Sequence, residues 1–89
     1  MTECTARVVN PLGLHARPAA QFVKLASSFT AEVEVLKDGS HPVNGKSIMG
    51  VMMLAAEHGS ALTIRADGTD EQAAVDALCA LVKEGFGEV

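Results

Sequence analysis

The chain has 89 residues, 48% of them hydrophobic, and a formal net charge of −4. That length suits one modest hydrophobic core, so we expect a single domain over residues 1–89. The negative charge argues against direct binding of nucleic acid, and the sequence has no apolar run long enough to cross a membrane. The start of the sequence lacks the basic and apolar segments of an export signal, which favours a cytoplasmic protein without membrane insertion.

The two cysteines, Cys4 and Cys79, show neither metal-ligand spacing nor the Cys-x-x-Cys pattern of a redox pair. Without an export signal, we expect both side chains to be reduced thiols. We therefore expect no metal site and no cofactor.

Hydrophobic alternation and turn residues predict four strands. Asp38-Gly39 marks a tight hairpin, and Pro42 cannot donate to a ladder, so the strand after this hairpin should lie at an edge of the sheet. The strands are predicted at Thr5–Val9, Ala31–Leu36, Ser40–Val43 and Ala61–Ala66. The residues expected on the buried face are Val33, Val35, Leu62 and Ile64.

Helical spacing predicts a first helix from about Ala16 to Ser27 and a short second helix after Ser47. A capping-box pattern of Thr69 with Gln72 opens the last helix, and Gly85 is expected to end it. The inward stripe of the last helix is predicted to be Val75, Leu78 and Val82. The order β-α-β-β-α-β-α predicts an α+β fold, an open-faced two-layer sandwich with a four-stranded antiparallel sheet and three helices on one face.

The segment Asn10-Pro11-Leu12-Gly13-Leu14-His15-Ala16-Arg17-Pro18 places a histidine beside the start of the first helix. The unpaired N–H groups of Ala16 and Arg17, together with the positive end of the helix dipole, provide an anion site next to the imidazole. The Arg17 guanidinium suits phosphate oxygens. This arrangement favours transient phosphorylation of His15, although an isolated His-x-Arg more often marks a plain helix cap beside a solvated arginine.

The segment Asn44-Gly45-Lys46-Ser47-Ile48-Met49-Gly50-Val51-Met52-Met53-Leu54 predicts a short helix that is apolar nearly all round. Ser47 is expected to be its N-cap, and a phosphate on this serine would add negative charge at a helix start and provide a regulatory switch. Three residues are expected to pack inward: Ile48, Val51 and Leu54. The other apolar side chains, Met49, Met52 and Met53, are expected to form a flexible patch for partner proteins, although methionine stripes are more often core.

Two motifs, Gly13-Leu14-His15-Ala16-Arg17-Pro18-Ala19 and Lys46-Ser47-Ile48-Met49-Gly50-Val51-Met52, resemble the active-site and regulatory-serine signatures of the histidine-containing phosphocarrier family, HPr, of the bacterial sugar phosphotransferase system. The similarity covers essentially the whole chain in length, element order and motif spacing. It implies that His15 takes a phosphoryl group on Nδ1 from phosphorylated Enzyme I and passes it to the A domains of sugar permeases, with Arg17 assisting at the phosphoryl oxygens. Such a protein is a carrier and a substrate of enzymes, with no complete active site of its own.

The resemblance also implies that Ser47 is the target of an HPr kinase/phosphatase, and that its phosphorylated form slows transfer at His15 and acts with a catabolite-control transcription factor. The docking residues that it implies are Ala20, Lys24, Ser27, Lys46, Ile48, Met49, Val51 and Met52. The sequence departs from relatives with this serine motif, which often carry Thr, Ser and Gly at the places of Ala20, Met53 and Ala55 and a basic residue at that of Ser28. These changes make the docking face less polar or less positive.

The sequence is compatible with two alternatives. The chain could act chiefly as a regulatory binding module through phosphoserine at Ser47, or as a carrier of the same family in its nitrogen-control branch. His15 together with Arg17 favours the sugar carrier over the first alternative. The string from Ile48 to Met52 weighs against the second.

Overall fold

The computed structural model describes residues 1–88, and its elements follow the predicted order. The strands are β1 (Thr2–Arg7), β2 (Glu32–Lys37), β3 (Val43–Asn44) and β4 (Ala61–Asp67). The helices are α1 (Ala16–Ser27), α2 (Ile48–Met53) and α3 (Glu71–Lys83), and a 3-10 turn at Gly85–Gly87 follows them. The predicted bounds of α1 are confirmed at both ends.

The four strands form one antiparallel sheet in the order β1-β4-β2-β3. β1 begins earlier than predicted because β4 offers pairing partners to the whole segment Thr2–Arg7. β3 lies at an edge, as Pro42 indicates, but is shorter than predicted, since only Val43 and Asn44 pair with β2. Ser40 instead continues the hairpin turn, where its N–H donates to the carbonyl of Lys37 at 2.8 Å.

The helices cover one face of the sheet, and the predicted α+β open-faced sandwich is confirmed. α3 packs on β1 and β4, while α1 packs against α2 and α3. The predicted inward residues of β2, β4 and α3 are all buried: Val33, Val35, Leu62, Ile64, Val75, Leu78 and Val82. On the opposite face of β1 the side chains of Glu3, Thr5 and Arg7 are exposed, so the alternation of the strands separates a core face from an open face.

The start of α3 differs from the prediction. Asp70 occupies the N-cap position, and the return bond comes from Glu71, whose carboxylate accepts from the N–H of Gly68 at 3.1 Å. The Asp70 carboxylate accepts from the N–H groups of Thr30 and Ala31, each at 2.9 Å. The predicted capping box of Thr69 with Gln72 is therefore wrong, because neighbouring carboxylates take its place.

Cys4 of β1 and Cys79 of α3 are joined in a disulfide, with Cα atoms 6.7 Å apart. The prediction of two reduced thiols is wrong because the packing of α3 on β1 brings together residues that are 75 positions apart in the sequence. Among residues 1–88, no helix combines the length and the apolar character that crossing a bilayer requires.

Candidate functional site

The turn between β1 and α1 is held against the segment that follows α2. The N–H of Val8 donates to the carbonyl of Ser60 at 2.9 Å, and the N–H of Leu14 donates to the carbonyl of Ala56 at the same distance. Gly13 has a φ of +66°, and a Cβ at this position would collide with the Ala56 carbonyl oxygen. Both the backbone conformation and the close approach require glycine, so this residue fixes where α1 begins.

His15 lies at the N-cap of α1 in an extended backbone conformation, with φ −73° and ψ −176°. Its carbonyl accepts the first helical hydrogen bond from Ala19 at 3.0 Å, but its side chain makes no capping hydrogen bond. The imidazole points elsewhere, and its Nε2 lies 3.0 Å from both carboxylate oxygens of Glu88. Within residues 1–88 the Nδ1 atom has no hydrogen-bond partner, and the side chain is 35% exposed. In the described part of the chain, one ring nitrogen is therefore hydrogen-bonded and the other is not.

The backbone around the imidazole offers donors to an anion. Among residues 1–88 no acceptor faces the N–H groups of Ala16 and Arg17, which belong to the first turn of α1. Pro18 follows them and has no N–H to satisfy, which suits the first turn of a helix. The Arg17 side chain is exposed and forms no ion pair in the described part of the chain. Two N–H groups and one guanidinium, all on the two residues that follow His15, are therefore available to an anion at the start of α1.

Two residues of this site were not predicted, Asn10 and Glu88. Asn10 is completely buried, and its Nδ2 donates to the carbonyl of Gly13 at 2.7 Å and to Oε1 of Glu88 at 3.0 Å. The hydrogen bond from His15 lowers the pKa of the Glu88 carboxyl, and that from Asn10 lowers it further, against the opposing effect of desolvation. The available sequence signal was the pair of glycines at 85 and 87, which can turn a chain back on itself.

Ser47 is the N-cap of α2, as predicted, and its hydroxyl accepts from the N–H of Gly50 at 3.1 Å. The side chain of neighbouring Lys46 is also engaged, since its Nζ donates to the carbonyl of Phe29 at 2.8 Å. Both residues are half-buried. The start of α2 is thus a hydrogen-bonded surface turn beside α1.

The side chains of α2 divide into a buried and an exposed set. Val51 and Leu54 are buried as predicted, whereas Ile48 is 45% exposed, so its predicted inward packing is wrong. The reason is its position in the first turn of a six-residue helix, which meets the core only through Val51. The side chains of Met49, Met52 and Met53 are also exposed and form the predicted apolar patch.

The eight expected docking residues therefore do not share one surface. Six of them are exposed: Ala20, Lys24, Ser27, Ile48, Met49 and Met52. Lys46 is half-buried and tied to the main chain, as described above. Val51 is completely buried, so its assignment to a docking surface is wrong: its side chain fills the core beneath α2.

Comparison with known proteins shows which family the chain is similar to. Residues 2–84 match the family model described as the PTS HPr component phosphorylation site. The chain is 49% identical over 88 residues to the phosphocarrier protein HPr of Cupriavidus necator, covering 99% of this chain and 98% of that protein.

Solved structures are similar over the same length. The crystal structure of HPr from Thermoanaerobacter tengcongensis matches with a TM-score of 0.93 and 46% identity, covering 100% of this chain and 99% of that one. The solution structure of Crh, described as the catabolite repression HPr of Bacillus subtilis, matches with a TM-score of 0.68 and 46% identity over 93% of this chain and 98% of that one.

Proposed function

The chain belongs to the HPr phosphocarrier family of the phosphotransferase system, and we propose that it relays a phosphoryl group from phosphorylated Enzyme I, through His15, to the A domains of sugar permeases in the cytoplasm. The observation that carries this proposal is the Nδ1 atom of His15, which has no hydrogen-bond partner among residues 1–88, at the start of α1, where the N–H groups of Ala16 and Arg17 have no acceptor in the same residues and Arg17 is exposed. The protein is a carrier in this scheme: Enzyme I and the permease domains complete the active site.

The chemistry needs a nucleophile and a cradle for negative charge. The lone pair of Nδ1 attacks the phosphorus atom, a P–N bond forms, and the bond from phosphorus to the donor atom of Enzyme I breaks with its electron pair. The equatorial oxygens of the transferring group carry the negative charge. The N–H groups of Ala16 and Arg17, the dipole of the 12-residue helix and the Arg17 guanidinium are placed to stabilise that charge.

The surface around this site suits partner proteins. Exposed residues of α1 follow one another at helical spacing away from His15, and α2, which carries the methionine patch, packs against the same helix. Exposed methionines adapt to differently shaped partners, which a carrier with several acceptors requires. Lys24, also exposed on α1, adds positive charge that would favour acidic partner surfaces.

The direct test is phosphorylation by Enzyme I and phosphoenolpyruvate, followed by intact-mass measurement before and after mild acid. Phosphohistidine is acid-labile and phosphoserine is stable, so one labile phosphate is expected on the unmodified protein and none on His15→Ala. His58→Ala is the matched control, because His58 is exposed outside this site and should leave labelling unchanged. A labile phosphate that persists in His15→Ala would overturn the proposal.

A regulatory role of Ser47 is the second proposal, supported by the position of this half-buried residue at the start of α2 and by the resemblance to Crh. An HPr kinase/phosphatase would act on this hydroxyl, and a catabolite-control transcription factor would bind the product. A phosphate keeps acceptor oxygens for the Gly50 N–H, so the cap can survive modification. The added charge lies beside the apolar patch of α2 and would change which partners bind there.

Ser47→Asp tests the regulatory proposal. We expect a folded protein that accepts the phosphoryl group from Enzyme I more slowly, because the added charge disturbs docking. Ser40→Asp, at an exposed position in the hairpin turn before β3, is the control for added charge alone. Equal transfer rates for Ser47→Asp and this control would contradict a regulatory serine.

A further inference from the structure

The chain after α3 is folded back toward the start of α1 by an unusual turn. Gly85, Phe86 and Gly87 all have positive φ, at 69°, 57° and 76°. Glycine adopts this conformation freely, but Phe86 adopts it only at a cost in free energy, because its Cβ crowds the backbone. Phe86 is 3% exposed and belongs to the hydrophobic core, so its burial offsets this cost and anchors the turn.

This turn places the carboxylate of Glu88 beside the imidazole of His15. Both oxygens of Glu88 lie 3.0 Å from Nε2, although the two residues are 73 positions apart. The Asn10 amide, which is completely buried, holds Oε1 of the same carboxylate at 3.0 Å. The Glu88 side chain is 19% exposed, so the contact is sheltered more than an ordinary surface ion pair.

An ionised carboxylate can accept hydrogen bonds but cannot donate one. The pKa of Glu88 is lowered by its hydrogen bonds, so the carboxylate is ionised at neutral pH. The nitrogen that faces it must then carry the hydrogen. In the neutral imidazole this leaves the lone pair on the other nitrogen, Nδ1, which has no hydrogen-bond partner among residues 1–88.

We infer that Glu88 is a positioning residue that, together with Asn10, selects Nδ1 of His15 as the nucleophilic atom. The inference rests on the proposed role of His15 as phosphoryl acceptor. Glu88 touches neither phosphorus nor the donor; it acts through the imidazole by fixing its tautomer and its orientation.

The same contact assists the attack on phosphorus. When Nδ1 attacks phosphorus, the Nε2 hydrogen stays in place, the donor bond breaks with its electron pair, and the ring gains positive charge. The Glu88 carboxylate, hydrogen-bonded to Nε2–H, compensates that charge, as the buried aspartate does for the histidine of a serine protease. The other charged group at this contact is Arg17, whose positive charge also lowers the pKa of Glu88.

The first readout is the tautomer of His15, measured by 15N NMR of the imidazole nitrogens in the complete chain at a pH where the ring is neutral. In Glu88→Ala we expect the ratio of the Nε2–H to the Nδ1–H form to fall about tenfold, as loss of a hydrogen bond to a charged group predicts. Glu88→Gln, whose amide oxygen can still accept from Nε2–H, should give an intermediate ratio. Glu84→Ala removes an exposed glutamate of the same segment and should change nothing.

The second readout is the single-turnover rate of phosphoryl acceptance from Enzyme I, which should fall about tenfold in Glu88→Ala. An unchanged tautomer ratio in Glu88→Ala, with folding verified by its backbone spectrum, would overturn the inference even if the unmodified protein accepts phosphate normally. The tautomer measurement needs no Enzyme I. A protein that shows the expected tautomer shift but never gains an acid-labile phosphate would instead refute the proposed function.

Discussion

His15 before α1 and Ser47 before α2 both occupy an N-cap, but their side chains are used differently. The Ser47 hydroxyl accepts from the Gly50 N–H, whereas the His15 imidazole makes no capping hydrogen bond, and within residues 1–88 the first N–H groups of α1 are unpaired. A capping residue uses its polar side-chain atom to bind a helix N–H group, and this stabilises the helix. His15 does not cap, so its Nδ1 atom and the positive end of the helix dipole stay available to an anionic group.

Arg17 provides the largest expected change after His15 itself. Arg17→Ala should lower the rate of phosphoryl acceptance about 10²-fold, because it removes one of the few groups placed to stabilise the transferring oxygens. Rapid-quench measurement with phosphorylated Enzyme I gives this rate. Lys83→Ala removes an exposed cation from the last turn of α3 and should leave the rate unchanged. Equal rates in the two variants would mean that Arg17 is only a solvated side chain.

Ser47→Ala and His15→Ala should differ in how much they lower the free energy of unfolding. Loss of the cap bond to Gly50 predicts a decrease of about 1 kcal/mol in the free energy of unfolding. His15→Ala removes no cap bond and only a partly exposed contact with Glu88, so its effect should be smaller. Urea denaturation of both variants measures the difference. A His15→Ala variant less stable than Ser47→Ala would contradict the distinction between a capping and a non-capping residue.

The third helix start, that of α3, has carboxylates as its hydrogen-bond acceptors. Here we expect the smallest effect, a change in how stability depends on pH. The hydroxyl of Thr2 and the N–H of Gly68 both donate to Glu71, and together with the nearby N-terminal amine they lower its pKa from 4.5 to about 2. A lowered pKa in the folded state stabilises the protein above pH 4.5, and this contribution is lost as the pH falls from 4.5 toward 2.

Urea denaturation between pH 2 and pH 6 tests this assignment. We expect the free energy of unfolding of Glu71→Gln to vary less with pH over this interval than that of the unmodified protein. Glu57→Gln is the control, since Glu57 is exposed and its carboxylate accepts no hydrogen bond among residues 1–88. Identical pH profiles for Glu71→Gln and the unmodified protein would show that these hydrogen bonds do not persist in solution.

Local sequence patterns were sufficient to predict most of the fold and half of the site, namely His15 and Arg17. Alternation in β2 and β4 and helical spacing in α1 report directly which side chains are buried, and the Gly13-to-Pro18 segment contains the whole helix start. Contacts between distant residues were not predictable in this way. Glu88 meets His15 only because three successive left-handed residues reverse the chain, and Cys4 meets Cys79 only because α3 packs on β1. The same reason explains Asn10, whose role depends on Glu88.

The most direct test of the account is to locate the phosphorus atom on the imidazole of His15. Protein labelled with 15N, phosphorylated by Enzyme I and phosphoenolpyruvate, would be studied by long-range 1H–15N NMR, in which the nitrogen bonded to phosphorus shows a resolved coupling. We predict that this nitrogen is Nδ1 and that Nε2 keeps its hydrogen. Phosphorus on Nε2, or a phosphate on any residue other than His15, would contradict the account.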